Sequence, residues 1–84
     1  MPKVQLRLFA AARDAAGRAS DDVEADTVGD VLTHARATYG AQFVDVLAHS
    51  RVWLNGDEPV DGDATRLADG DEVAVLPPVS GGCG

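Results

Sequence analysis

Asp69-Gly70-Asp71-Glu72-Val73-Ala74-Val75-Leu76-Pro77-Pro78-Val79-Ser80-Gly81-Gly82-Cys83-Gly84 closes the chain, and it reads in succession as a turn, a strand and a tail. Asp69-Gly70 is a turn pair. Glu72 to Leu76 is the strongest strand signal in the sequence, with Val73 and Val75 on one side and Ala74 and Leu76 on the other. Pro77 and Pro78 lack the N–H donors a ladder needs and favour extended polyproline geometry, so they stop the strand and project the residues beyond them. Two successive glycines without Cβ let a backbone thread a narrow channel and leave a carbonyl carbon open to approach from either face. The chain therefore divides into a domain over residues 1–76 and an extended tail over 77–84 that presents the C-terminus, and function is expected in that tail.

Upstream of that stretch the pattern is of short alternating elements. From Lys3 to Leu8, Val4, Leu6 and Leu8 face one way and Lys3, Gln5 and Arg7 the other, the period of a half-buried strand. Ala10 to Ala16 reads as a short helix closed by Gly17, and residues 20–25 as a second strand with Val23 and Ala25 inward. Thr27 is placed to cap a helix, with Asp30 three residues on, and Val28, Val31, Leu32 and Ala35 then follow helical spacing until Gly40. Residues 41–49 suggest a further helical turn anchored by Phe43, Val46 and Leu47. Val52 to Leu54 is a short strand, Asn55-Gly56 a turn, and Glu58 to Val60 an edge strand interrupted by Pro59. The order strand, strand, helix, strand, strand makes the helix a crossover, so the first and last strands can lie side by side and parallel. The fold class is α+β, a mixed sheet packed on one main helix.

Composition narrows the function. The chain has 84 residues, one domain's worth, and burial of roughly 60–65% of the unfolded surface leaves little room for a deep active site. Fourteen acids against seven bases give a net charge of −7, which disfavours nucleic acid and points to basic protein surfaces. Acids crowd at 21–30 and at 57–72, where seven acids face only Arg66; solvated loops explain most of this, and steering toward a basic partner is the sharper alternative. A single cysteine excludes an internal disulfide, and no apolar run suits a signal peptide or a membrane span, so a cytoplasmic location is expected. His34, His49 and Cys83 do not form a metal site by spacing, and no catalytic residue is assigned.

Leu8-Phe9-Ala10-Ala11-Ala12-Arg13-Asp14-Ala15-Ala16-Gly17, Thr27-Val28-Gly29-Asp30-Val31-Leu32 and above all Asp69 to Gly82 together resemble the ubiquitin-like sulfur carrier family. The strongest likeness is to the small subunit of molybdopterin synthase, and the chain is also similar to archaeal small modifier proteins. The resemblance implies a ubiquitin-like β-grasp fold with a flexible C-terminal Gly-Gly tail. It implies that the Gly82 carboxylate is adenylated by a ubiquitin-activating-type enzyme using ATP, converted to a thiocarboxylate, and delivered to a sulfur-accepting synthase subunit, with no cofactor held by this chain itself. The chemistry suits a tail: a free carboxylate with a pKa of about 3.3–3.7 is ionised at neutral pH and is a poor electrophile until it carries a leaving group. Val79, Ser80 and Gly81 would then thread into the partner. Other acceptors fit the same resemblance, among them pathways to cysteine, thiamin, thiolated tRNA or a specialised metabolite. Conjugation to lysines as a ubiquitin-like modifier fits it too.

The ending departs from that pattern. Cys83 and Gly84 follow Gly82, so the encoded carboxylate belongs to Gly84. The expectation is a processed extension, Cys83-Gly84, removed by a C-terminal peptidase; direct activation of Gly84 and a chain that carries no sulfur as encoded stay open. Cys83 has no base near it in sequence, and an unperturbed thiol is mostly protonated at neutral pH. Alternation sets Trp53 opposite Val52 and Leu54, which leaves core and partner surface both open for it; with Leu76 and Val79 it would form an apolar docking patch.

Overall fold

The computed structural model describes residues 1–78. Val79, Ser80 and Gly81, the expected reaction centre Gly82 and the extension Cys83-Gly84 lie outside the described residues. The elements in order are β1 (Lys3–Leu8), α1 (Ala10–Ala16), β2 (Ser20–Glu24), α2 (Val28–Tyr39), α3 (Ala41–Leu47), β3 (Arg51–Leu54), a 3₁₀ turn (Gly62–Ala64) and β4 (Glu72–Leu76). The sheet runs β2-β1-β4-β3. β1 and β4 lie side by side and parallel, the arrangement the crossover allows, and β2 and β3 pair antiparallel outside them. This is the β-grasp arrangement.

The alternation seen in the sequence becomes burial. Val4, Leu6 and Leu8 from β1, Val23 from β2, and Val73 and Val75 from β4 point to the helical side and are each at most 2% exposed. They meet Val28, Val31, Leu32 and Ala35 of α2 and Phe43 and Leu47 of α3 in one core. The apolar stripe of α2 thus fixes which face of the sheet is covered, at roughly 1.5–3 kcal/mol for each large side chain removed from water. Thr27 caps α2 by accepting the Asp30 N–H at 3.2 Å, and Gly17 ends α1 at φ +77°.

Two contacts tie the helices to the rest of the fold. Gly29 lies against the 3₁₀ turn so closely that an added Cβ would sit 3.1 Å from both the Cβ and the backbone oxygen of Asp63. Gly29→Ala should therefore lower stability by about 1 kcal/mol in urea unfolding, because overpacking of about 1–3 kcal/mol outweighs the helix-propensity gain of just under 1 kcal/mol. At the other end of α2, the Tyr39 hydroxyl donates to Asp21 Oδ2 at 2.8 Å, and Asp21 also pairs with Arg18 at 3.3 Å. Burial first, and then the Asp21 carboxylate, push the Tyr39 pKa up from 10.0 to about 12. A phenol held neutral in the folded state binds its proton more tightly than in the unfolded chain, so its contribution is complete below pH 10 and is lost as pH rises to about 12. Wild-type protein should lose stability more steeply than Tyr39→Phe across that window, measured by urea unfolding at each pH.

The expected edge strand at Glu58 to Val60 does not form. Asn55 and Gly56 make the turn at φ +52° and +87°, and Leu54 and Asp57 exchange N–H···O bonds of 2.7 and 3.0 Å, but the ladder stops there. Pro59 has no donor to continue it. The Asp61 N–H instead donates to Thr65 Oγ1 at 2.9 Å, which draws the chain into the 3₁₀ turn and leaves Val60 88% exposed. Several acids of this stretch close loops rather than merely face water. Asp69 accepts the Lys3 N–H at 2.8 Å, and Asp71 accepts from both the Ala68 N–H and Asn55 Nδ2.

Candidate functional site

Opposite the core, no helix among the described residues covers the sheet, and the outward side chains of β1, β4 and β3 lie next to one another in register. Register decides their neighbours: Ala74 lies between Arg7 and Trp53, and Leu76 lies beside Arg51. The small Ala74 side chain between larger ones leaves a hollow of about 330 Å³, lined by Phe9, Trp53, Gly56, Glu72, Ala74 and Leu76. A second hollow of about 490 Å³ is lined by His49, Arg51, Trp53, Leu76, Pro77 and Pro78. Trp53 and Leu76 line both, so the structure brings together the two side chains read as a docking pair and sets them where the strand gives way to the tail. Trp53 faces away from the core, while Val52 and Leu54 pack against it.

Phe9 belongs to this surface and sequence reasoning missed it. It is 39% exposed and sits at the N-cap of α1 without making a side-chain cap. An aromatic where Ser, Thr, Asp or Asn would stabilise the helix start is a local anomaly that could have flagged it. The turn that aims Phe9 passes through Ala10 at φ +49°, a left-handed conformation that disfavours a non-glycine residue by roughly 1–2 kcal/mol. The Arg7 guanidinium lies 5.7 Å from the Phe9 ring centroid and pairs with Glu72 at 3.2 Å, so a charged pair edges the hollow. With both partners more than 40% exposed, that pair adds little stability.

Among the described residues no three metal-binding side chains cluster. His34 meets Thr38 at 3.4 Å, and the His49 ring meets the Asp45 carbonyl at 3.1 Å, both on the surface. Among the same residues no helix is long and apolar enough to cross a membrane. The arrangement can offer a protein partner an apolar face that has Pro77 and Pro78 along one side.

The β-grasp domain places the chain with the ubiquitin-like sulfur carriers, as its family match and relatives show. Proteins of this type are non-catalytic carriers. The chain belongs to the ThiS family, whose model matches residues 6–82. Small archaeal modifier protein 3 of Haloferax volcanii is 42% identical to it, over 95% of this chain and 99% of that protein. The solution structure of small archaeal modifier protein 1 from Methanosarcina acetivorans superposes with a TM-score of 0.85 at 31% identity, covering 98% of each chain. The putative molybdopterin converting factor, subunit 1, from Pyrococcus furiosus gives a TM-score of 0.82 at 26% identity, covering 94% of this chain and all of that one.

Proposed function

We propose that this protein is a sulfur carrier whose Gly82 carboxylate, freed by removal of Cys83-Gly84, is adenylated and converted to a thiocarboxylate. The observation that carries the reading is the position of Trp53, Phe9 and Leu76 on one open face next to Pro77 and Pro78. An activating enzyme that grips this face holds the domain while the tail reaches its ATP, so binding far from the reacting carbon positions it. Sulfur then passes to a synthase subunit that makes molybdopterin. Likeness to subunit 1 of a molybdopterin converting factor supports that acceptor and a partner subunit. Activation, trimming and transfer would all take place in the cytoplasm.

The names of the modifier relatives favour a second fate for the same activated acyl group, attack by a lysine amine to give an isopeptide bond. Lys3 is the only lysine of this chain, so chains of the protein on itself have little scope. Intact mass of the protein recovered from its host under conditions that preserve thiocarboxylates tests the main reading. Loss of Cys83-Gly84 with one oxygen replaced by sulfur is the expected result, and a carboxylate-ended or untrimmed chain in cells making molybdopterin would count against it. Lysines of other proteins carrying the branch Leu67–Gly82, which cleavage after Arg66 would leave, would establish the second fate.

A further inference from the structure

We infer that the partner seated on the open face is bipolar there, with carboxylates beside the root of the tail and basic groups toward the far end of the sheet. The inference deepens the carrier reading and rests on it, since it takes the activating enzyme as that partner.

Strand register sorts the outward side chains into rows across the sheet. Farthest from the tail, Lys3 of β1 stands opposite Glu24 of β2. The next row joins Asp22, Gln5 and Glu72, and the one after it Ser20, Arg7, Ala74 and Trp53. The last sets Arg51 opposite Leu76, where Pro77 begins the tail. Two of these charges offset each other, because Arg7 reaches back along the face to Glu72 at 3.2 Å. Lys3 and Glu24 are likewise adjacent and opposite in sign. What remains is Asp22 toward one end and Arg51 at the other, both exposed. Neither is in an ion pair among the described residues, where the pairs are Arg7–Glu72 and Arg18–Asp21.

Two row spacings and three strand spacings separate Asp22 from Arg51, about 20 Å, more than twice the screening length of about 8 Å at physiological ionic strength. A partner on the face therefore meets each charge locally and not the chain's net charge of −7. Arg51 shares the wall of one hollow with Trp53 and Leu76, so an apolar partner closing on them takes water away from the guanidinium. That group cannot shed its proton, and a desolvated charge needs an opposite one beside it. A carboxylate of the partner meets this need next to the tail. Asp22 lies toward the rim, where a matching basic group sets orientation and encounter rate more than affinity.

Charge reversal at each position gives the test, because the sign of the effect reads the partner's charge. KM for ATP–pyrophosphate exchange with the activating enzyme is compared among chains ending at Gly82. Arg51→Glu should raise KM by roughly fivefold at low ionic strength, and Asp22→Arg should raise it by less. Both effects should fade at about 1 M salt, where the screening length is about 3 Å. Asp30→Arg, in the first turn of α2 on the other side of the sheet, changes net charge as Asp22→Arg does and should leave KM nearly unaltered. A lower KM for Arg51→Glu would mean a basic surface beside the tail, and a lower KM for Asp22→Arg an acidic one at the far end. Either would overturn the inference, as would no change in both or an equal rise for Asp30→Arg. Absence of exchange by the unaltered chain would remove the carrier reading and this inference with it, whereas normal exchange with any of those results removes this inference alone.

Discussion

Gly82→Ala should leave the domain folded and slow activation of the C-terminus by roughly 100-fold or more, the scale at which a misplacement of about 1 Å acts on a reacting centre. The buried core runs from Val4 to Val75, so it is complete before the tail begins and thermal unfolding should be unchanged. The reaction is another matter. Adenylation needs the carboxylate in line with a phosphate inside another protein, and a Cβ on the last residue fills space that the glycine backbone leaves clear. The loss should fall on kcat, because the proposed docking face is untouched and KM would report mainly binding there. ATP–pyrophosphate exchange with the activating enzyme measures it, comparing chains that end at Gly82 and at Ala in its place. Equal exchange rates would remove Gly82 from the proposed role.

The regular elements were legible because their signals are local. Alternation over Lys3 to Leu8 needs no distant residue to interpret, nor does a threonine three residues ahead of an aspartate at a helix start, and both appear in the structure as read. Parallel pairing of β1 with β4 is an arrangement that the crossover allows, though element order alone does not single it out from other small α+β folds. The misreading at Glu58 to Val60 came from letting a strong Asn-Gly turn imply a second strand. The turn forms, but its return arm contains a proline and is captured by Thr65, four residues beyond Asp61. Phe9 was illegible for a different reason. Its place beside Trp53 depends on a left-handed Ala10 and on β3 and β4 lying beyond β1, neither of which a local pattern encodes. Of the candidate site, then, strand alternation sets Trp53 opposite Val52 and Leu54 and pairs Leu76 with Ala74 but leaves core and partner surface both open for Trp53, while the tail residues carry their meaning in the sequence itself.

Trp53→Ala should weaken engagement of the activating enzyme by roughly 30-fold or more, the effect of losing about 2 kcal/mol from an aromatic anchor near the centre of an interface. Trp53 lines both hollows of the open face and Leu76 shares them, so truncation removes the indole ring that forms a wall of each. Phe9→Ala should do less, because Phe9 stands at the edge of the hollow beside the solvated Arg7–Glu72 pair. Neither change touches the core side of the sheet, so urea unfolding separates lost docking from lost folding. The signature distinguishes this face from Gly82: truncating Trp53 should raise KM with kcat little altered, whereas Gly82→Ala should lower kcat with KM little altered. If the two act independently, their effects on kcat/KM multiply in the double variant. A fall in kcat on truncating Trp53, with KM constant, would mean instead that binding at the open face is used to position the tail in the transition state. Unchanged values of both would take Trp53 out of the docking surface, and with it the physical reason for placing the tail beside an apolar face.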